Sequence, residues 1–511
     1  MPTRSRLVLV TGATGYIGGR LVPELLAAGH RVRVLVRDPS RLRAHAWAGE
    51  VEVTRGDALV PGDLAEAMAG VEVAYYLIHS LGTGPRFERT DRRAARAFAA
   101  AAREAGVSRI VYLGGLHPAG DDLSPHLESR KEVEEIFLES GVPTVVLRAA
   151  VIIGSGSASF EMLRYLTERL PVMVTPRWVG TRIQPIAVRD VLHYLVAAAS
   201  LPAGVEGGFD IGGPDVLTYR EMMQGHARVA GLERRFIVPV GVMSPRLSSH
   251  WIGVVTPIPN RLAKPLVRSL VNEVVVRDDA IRRLVPDPPG GLTGFDRAVE
   301  LALARVREAK VLTRWSGASE PGAPSDPLAA DPDWAGGSLY VDDRSTPVRA
   351  SPATLWRVVE GIGGENGWYS WPLAWWIRGW MDRAWGGPGL ARGRRDPRRL
   401  HVGDAVDWWR VEDIADGRLL RLRAEMRLPG LAWLELSVGQ DPVGRTLFRQ
   451  RALFHPRGLV GHLYWAAVTP FHGVVFGGMQ RNVALAAATL ERQVGHAQRL
   501  DRPDPGPAGI R

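Results

Sequence analysis

Residues Arg6 to Gly19 read RLVLVTGATGYIGG. Leu7, Val8, Leu9 and Val10 form a short continuous apolar run, the pattern of a buried parallel strand. Thr11 and Gly12 end it. Gly12, Gly15 and Gly18 are spaced GxxGxxG, and a helical pattern follows from Tyr16 to Leu26. A strand that feeds a helix through a glycine-rich turn is how an open α/β sheet holds a dinucleotide. Gly12 permits the tight turn, Gly15 lets the backbone approach a pyrophosphate, and Gly18 lets the helix pack closely on the sheet. The helix N-terminus offers free N–H groups and a partial positive charge to the phosphates.

Further strands follow at regular intervals. In RVRVLVRD, Val32, Val34 and Val36 alternate with arginines, which predicts a second strand. At its end, where an NAD site places an acid for the ribose 2′-hydroxyl, stand Val36 and Arg37. A guanidinium in place of a carboxylate favours a 2′-phosphate, hence NADP over NAD. Asp38 follows, and either serves ribose or caps the next helix. Strands are expected over Val51 to Asp57, Val71 to His79, Arg109 to Gly115, Val142 to Ile153 and Phe209 to Pro214. Helices are expected over Ala94 to Ala105 and Ser124 to Phe137. The fold expected is a doubly wound parallel α/β sheet with a small substrate lobe.

The string TGATGYIG resembles the short-chain dehydrogenase/reductase superfamily in its extended and atypical branches, and the likeness runs from Arg6 to about Arg235. It implies an NAD(P)-binding Rossmann domain, with Gly12, Thr14, Gly15, Tyr16, Ile17 and Gly18 on the pyrophosphate and Arg37 on the 2′-phosphate. It further implies Asp57, followed by Ala58, near the adenine, and Leu77, Ile78, His79 and Ser80 near the nicotinamide half. The typical member carries Ser at the end of the fifth strand and Tyr-x-x-x-Lys on the next helix. Here the strand ends Leu113-Gly114-Gly115, and the matching helical positions are His126 and Arg130; an alternative frame pairs Leu127 with Lys131. His126 and Arg130 lie one helical turn apart, so both can face a cofactor. Histidine can move a proton near neutral pH, and arginine can hold ribose or phosphate oxygens. The branch with this substitution includes enzymes, NmrA-like redox-sensing regulators that bind NADP without turning it over, and an accessory subunit of respiratory complex I.

Past Phe236 the chain is proline-rich and partly helical, and reads as the remainder of the substrate lobe, 236–315. Residues 316–337 (SGASEPGAPSDPLAADPDWAGG) suit a flexible tether. Twelve of the sixteen tryptophans lie beyond residue 330, which marks a different module. A strand, a helix over Pro352 to Glu360, four further strands and a long helical pattern from Gly458 to Arg492 predict an α+β helix-grip domain over 338–495, followed by a disordered tail, 496–511. The strings RGRRDPRRLHVGDAVDWWRVE and FHPRGLVGHLYWAAVTPFHGVVFGGM closely resemble an uncharacterised steroid-transfer-like domain, DUF2867, which is often fused behind an atypical short-chain reductase. The cluster Trp368, Trp371, Trp375, Trp376, Trp380 and Trp385 reads either as a core helix, or as a lipid or quinone pocket or a membrane lip.

The 511 residues are 46% hydrophobic and 23% charged, with a net charge of +10 and no cysteine. Disulfides, thiolate metal sites and cysteine nucleophiles are excluded, and a reducing cytoplasm is compatible. The N-terminus reads as lacking a signal peptide, and no run of about 18 uncharged apolar residues is expected to span a membrane. His401, His455, His462 and His472 have no compact metal-site spacing. The arginines are dispersed except at 392–399, and no nucleic-acid module accompanies them. The expectation is a cytoplasmic oxidoreductase using NADP (with NAD as the alternative) on an apolar carbonyl, enone or quinone, with peripheral membrane contact left open. The rivals are a non-catalytic NADP-binding sensor or accessory subunit, and a lipid carrier. The oligomeric state is not specified.

Overall fold

Alternation along the strands builds the first domain. The computed structural model describes residues 4–79, 87–118, 123–240, 255–310, 337–364, 367–369 and 399–500. It contains Leu7–Thr11 (β1), Arg31–Val36 (β2), Glu52–Arg55 (β3), Val73–Tyr76 (β4), Arg109–Gly115 (β5), Thr144–Ala149 (β6) and Gly207–Ile211 (β7). These strands form one sheet in the order β7-β6-β5-β4-β1-β2-β3, every pair parallel. Val8 and Val10 pack on one face and Leu9 on the other, all fully buried. Gly18–Ala27 (α1) covers the first face. Pro61–Met68 (α2), Phe87–Glu104 (α3) and Pro125–Leu138 (α4) lie on the other face. This is the doubly wound Rossmann arrangement, with apolar residues on both faces of each strand.

The lobe is interleaved with the sheet rather than appended to it. After β6 come Ala158–Arg169 (α5), Val188–Ala198 (α6), Tyr219–Val229 (α7), Asn260–Ser269 (α8) and Phe295–Lys310 (α9). α6 returns to the Rossmann core through Val191 and Leu195. α5, α7, α8 and α9 share a second core around Phe160, Met222, Val267 and Val299. Short strands Val172–Pro176 and Phe236–Val240 pair in parallel within this lobe. By contacts the chain divides into two units, Met1–Gly337 and Ser338–Arg511.

In the second unit Tyr340–Pro347 (β8), Ala405–Val406 (β9), Trp409–Ala415 (β10), Leu419–Ala424 (β11), Gly430–Gln440 (β12) and Thr446–Pro456 (β13) make an antiparallel sheet in the order β8-β13-β12-β11-β10-β9. Leu420, Leu422, Leu434 and Leu436 face Pro352–Glu360 (α10) and the later part of Gly458–Leu500 (α11), through Leu355, Val359, Phe476, Met479 and Val483. The sheet grips a long helix, as the α+β reading requires.

One boundary shifts. The terminal helix runs on to Leu500, so 496–500 belong to it and not to a tail; GHAQRL supplies no helix stop. From Gly458 to Gln480 there is no Asp, Glu, Lys or Arg, and the helix over Gly458–Gln493 is long and apolar enough, by length and composition, to cross a membrane. Scattered glycines, Pro470 and two histidines had broken the apolar run in the linear sequence. Ser80, the linker 316–336, Trp371 to Trp385 and Arg392 to Arg398 fall outside the described residues.

Gly12 has φ +77°, and a Cβ there would sit 2.7 Å from the Leu77 carbonyl oxygen. Gly12→Ala should therefore lose about 1–2 kcal/mol to the left-handed backbone and about 1–3 kcal/mol to overpacking. A denaturant midpoint lowered accordingly, with little change in slope, is the expected result.

Candidate functional site

The glycine turn is the floor of a cavity of about 1270 Å³ that runs along the C-terminal ends of the strands. The turn is closed by Gly15 N–H donating to the Gly12 carbonyl at 2.9 Å. A Cβ on Gly18 would collide with the same Gly12 carbonyl. At the start of α1, the N-cap Ile17 makes no side-chain capping bond. The Gly19 and Arg20 N–H groups donate to the Gly15 and Ile17 carbonyls at 2.9 and 3.1 Å, and no side chain competes at the cap for the N–H groups ahead of them. Gly12, Thr14, Gly15, Tyr16, Ile17 and Gly18 all line the cavity. Arg20 lies over the Tyr16 ring, 4.2 Å from its centroid, and donates to the Ser155 carbonyl at 3.2 Å. This joins the turn to the loop after β6.

At one end Arg37 and Arg41 line the cavity beside Asp57 and Ala58. Asp38 is a cap: its Oδ1 accepts the Ser40 N–H at 3.0 Å, and the bonds from Ser40 hold its carboxyl below the usual range. Of the two roles left open for Asp38, capping is the one observed. Asp57 is fixed in its turn: its backbone N–H donates to Asp63 Oδ2 at 2.8 Å, and its Oδ1 accepts the Leu59 N–H at 2.9 Å. Arg41, four positions beyond Arg37, is an addition to the sequence reading. Its signal is a second guanidinium in the short helix that follows.

At the other end Leu77, His79, His126 and Arg130 converge. α4 starts at Ser124, whose Oγ accepts the Leu127 N–H at 3.3 Å. That start places His126 in the first turn and Arg130 one turn later on the same side. The His79 and His126 rings have centroids 6.3 Å apart. Arg130 Nη1 donates to the Tyr112 hydroxyl at 3.3 Å and to the Leu113 carbonyl at 3.4 Å, which ties it to β5. Gly115 lies against it, and a Cβ there would be in ordinary contact with Arg130 Cγ at 3.6 Å. His79 is wetted from the cavity yet crowded by protein, and burial, then Arg130, then His126, keep its pKa well below the usual range. Burial, and next the Arg130 charge, push His126 down to about 3. His126 is therefore neutral at physiological pH: it can give or accept a hydrogen bond there, but it is no imidazolium acid.

Beyond these groups the lining of the cavity is mostly apolar, with Ser157, Ser159 and Ser269 among it. Leu262, Leu266 and Leu270, spaced four apart on and just after α8, line it with Ile183, Tyr219 and Val274. Ser124 and Ser269 hydroxyls meet at 2.8 Å, binding α8 to the helix that carries His126. The i, i+4, i+8 leucines were present in RLAKPLVRSL, but nothing in the linear pattern tied them to residues more than a hundred positions earlier.

These residues fit a dinucleotide: a turn that only glycine can make, an uncapped helix start, guanidinium groups at one end and strand ends at the other. A family model described as NAD(P)H-binding matches residues 12–155, and one described as a protein of unknown function, DUF2867, matches 334–479. The chain is 34% identical to a ceramide reductase of Caulobacter vibrioides over 247 residues, 46% of this chain and 75% of that protein. It belongs to the atypical short-chain dehydrogenase/reductase family. This short-chain protein is also 32% identical to (4-alkanoyl-5-oxo-2,5-dihydrofuran-3-yl)methyl phosphate reductase of Streptomyces griseus, over 45% of this chain and 76% of that one. It is 23% identical to NADH dehydrogenase [ubiquinone] 1 alpha subcomplex subunit 9 of Arabidopsis thaliana, over 53% and 71%. Among solved structures, the triphenylmethane reductase of Citrobacter sp. complexed with NADP(H) aligns at 24% identity and TM-score 0.46, covering 58% of this chain and 99% of that one. The N-terminal domain of this family member binds NAD(P)H.

Because the folded-state pKa of His126 lies below 6.5, the unfolded chain takes up more protons between 6.5 and about 3, and stability falls as pH drops through that window. His126 imidazole resonances should not titrate between about pH 8 and pH 5. Arg130→Gln should raise the His126 pKa while leaving it below 6.5, since burial is the larger cause. NMR pH titration of both proteins checks this.

Proposed function

We propose that the N-terminal domain is an NADP-preferring reductase of an apolar carbonyl, enone or quinone. The observation that carries this reading is the continuity of one cavity, from the glycine turn past His126 and Arg130 into the leucine-lined lobe. When bound, the nicotinamide supplies or accepts the hydride. The lobe buries the apolar body of the substrate and excludes water around the reacting group. Neutral His126 donates an N–H hydrogen bond to the substrate oxygen, and the proton that completes the product is taken up from solvent as the product leaves. Arg130, held by β5 through Nη1, turns its remaining donors toward the negative charge that grows on that oxygen. The preference for a 2′-phosphate is supported by Arg37 and Arg41 at the far end, where Asp38 is committed to its cap and Asp57 Oδ1 to the Leu59 N–H.

A second reading, nucleotide binding without turnover, draws on the neutrality of His126 and on the absence of a hydroxyl at Leu113 to Gly115. The two differ in one measurement. A reductase oxidises NADPH in the presence of long-chain enones, ketones or quinones, and a sensor binds it without consuming it.

Arg37→Ala should weaken NADPH binding by about 10- to 100-fold, the worth of a charge-assisted hydrogen bond, and leave NADH binding nearly unchanged. Fluorescence titration with both nucleotides checks the preference. In a turnover assay Arg130→Leu should lower kcat more than it raises KM. NADPH bound tightly by wild type, with no oxidation across the acceptor series, would decide for the sensor.

A further inference from the structure

The first half of α11 is half covered. Its inner side packs on the domain's own sheet edge: Trp465 stacks on Tyr340 and Phe454 at ring distances of 5.1 and 5.7 Å, and His462 Nδ1 lies 2.8 Å from the Tyr340 hydroxyl. His472 packs on Trp465 at 4.6 Å and faces Asp342 at 3.5 Å. The outer side bears Val460, Leu463, Ala467, Phe471 and Val474, a single stripe at helical spacing. The four large side chains are between 59% and 67% exposed. Of the most apolar window in this helix only 11% is buried, so it is not an ordinary core helix.

We propose that this stripe is a membrane-docking surface, which lays α11 in the interface of an anionic lipid bilayer with Leu463 and Phe471 entering the acyl region. Three observations favour lipid over a protein partner. Charge is the first: exposed Arg457 and Arg481 bracket the stripe, and no Asp or Glu occurs between Arg457 and Glu491. That distribution complements anionic head groups on either side of an apolar band. Hydrogen bonding is the second. A protein interface carries about one hydrogen bond per 100–200 Å². The five stripe residues carry no polar side-chain atom, and the exposed hydroxyl beside them, Thr469 Oγ1, already donates to the Trp465 carbonyl at 2.7 Å. A hydrocarbon surface asks for none. Extent is the third: Val460 to Val474 spans about 21 Å at 1.5 Å per residue, and exposed Leu459 and Leu431 widen its N-terminal end. The inner side, stacked on Tyr340 and Phe454, keeps the helix from being surrounded by lipid while the domain stays folded. The helix therefore lies in the surface and does not span. The surface belongs to the C-terminal unit and stands whether or not the N-terminal domain turns over NADPH.

The absence of cysteine makes the test clean. The full chain with Phe471→Cys, carrying an environment-sensitive dye, should blue-shift on vesicles of phosphatidylcholine with phosphatidylglycerol, and much less on phosphatidylcholine alone. The same dye at Asp416→Cys, in an exposed hairpin turn, should not respond. In vesicle sedimentation the double variant Leu463→Glu/Phe471→Glu should bind the anionic vesicles at least about tenfold more weakly, with circular dichroism unchanged. Leu485→Glu, exposed further along the same helix, should bind as wild type does. Absence of wild-type binding to anionic vesicles, or undiminished binding by the double variant, overturns the proposal. So does a wild-type dimer in sedimentation velocity that the double variant converts to monomer with no lipid binding by either, since a second copy would then cover the stripe.

Discussion

The close approach of the Gly12–Gly18 turn to the end of β4 is the constraint on which the first domain depends. The Leu77 carbonyl lies where a Gly12 side chain would be, and the Gly12 carbonyl lies where a Gly18 side chain would be. No other residue lets β1, β4 and the start of α1 meet at that distance. The same contact brings the glycine backbone to the cavity wall. A fold requirement and a phosphate-binding surface are thus one piece of geometry.

From that turn the rest of the site follows by strand order. Parallel strands deliver their C-terminal ends to one edge, so β2, β4 and β5 bring Arg37, Leu77 and Gly115 to the same cavity although they lie far apart in the chain. Arg130 is the organising charge of the inner end. Its tie to Tyr112 and Leu113 fixes it, and together with burial it keeps both neighbouring histidines uncharged. Burial first, and the nearby guanidinium second, convert His126 from a proton shuttle into a neutral hydrogen-bonding group. This is a different chemistry from the one that histidine's ordinary pKa suggests.

Apolar surface is handled in opposite ways in the two units. In the first, α8 turns its leucines inward and extends the nucleotide cavity into a largely apolar compartment. In the second, the later part of α11 fills the sheet's concave face through Phe476, Met479 and Val483, while the earlier part turns Leu463 and Phe471 outward. One helix passes from core element to exposed apolar stripe without a break in its backbone hydrogen bonding beyond Pro470.

Much of this was legible in the residues. The apolar run at Leu7 to Val10, the glycine spacing, the alternation in RVRVLV and the composition shift past residue 330 are local signals, and each leads to an element the structure contains. The residues singled out for the cofactor, Ser80 apart, line the cavity together with His126 and Arg130, because residues at strand ends, after glycine turns and one helical turn apart are placed by short-range rules. Three matters were not local. That Asp38 caps instead of reaching outward depends on the turn to Ser40. The protonation state of His126 depends on how deeply α4 packs and on a guanidinium anchored by another strand. The partner of the leucines at 262, 266 and 270, and the side of α11 that stays open, depend on which surfaces meet. The sequence by itself determined the strands, the turn and the class of ligand, since these follow from periodicity and backbone freedom. Only the tertiary structure decided charge state and exposure, since desolvation and contact are properties of the surroundings and not of any one stretch of chain.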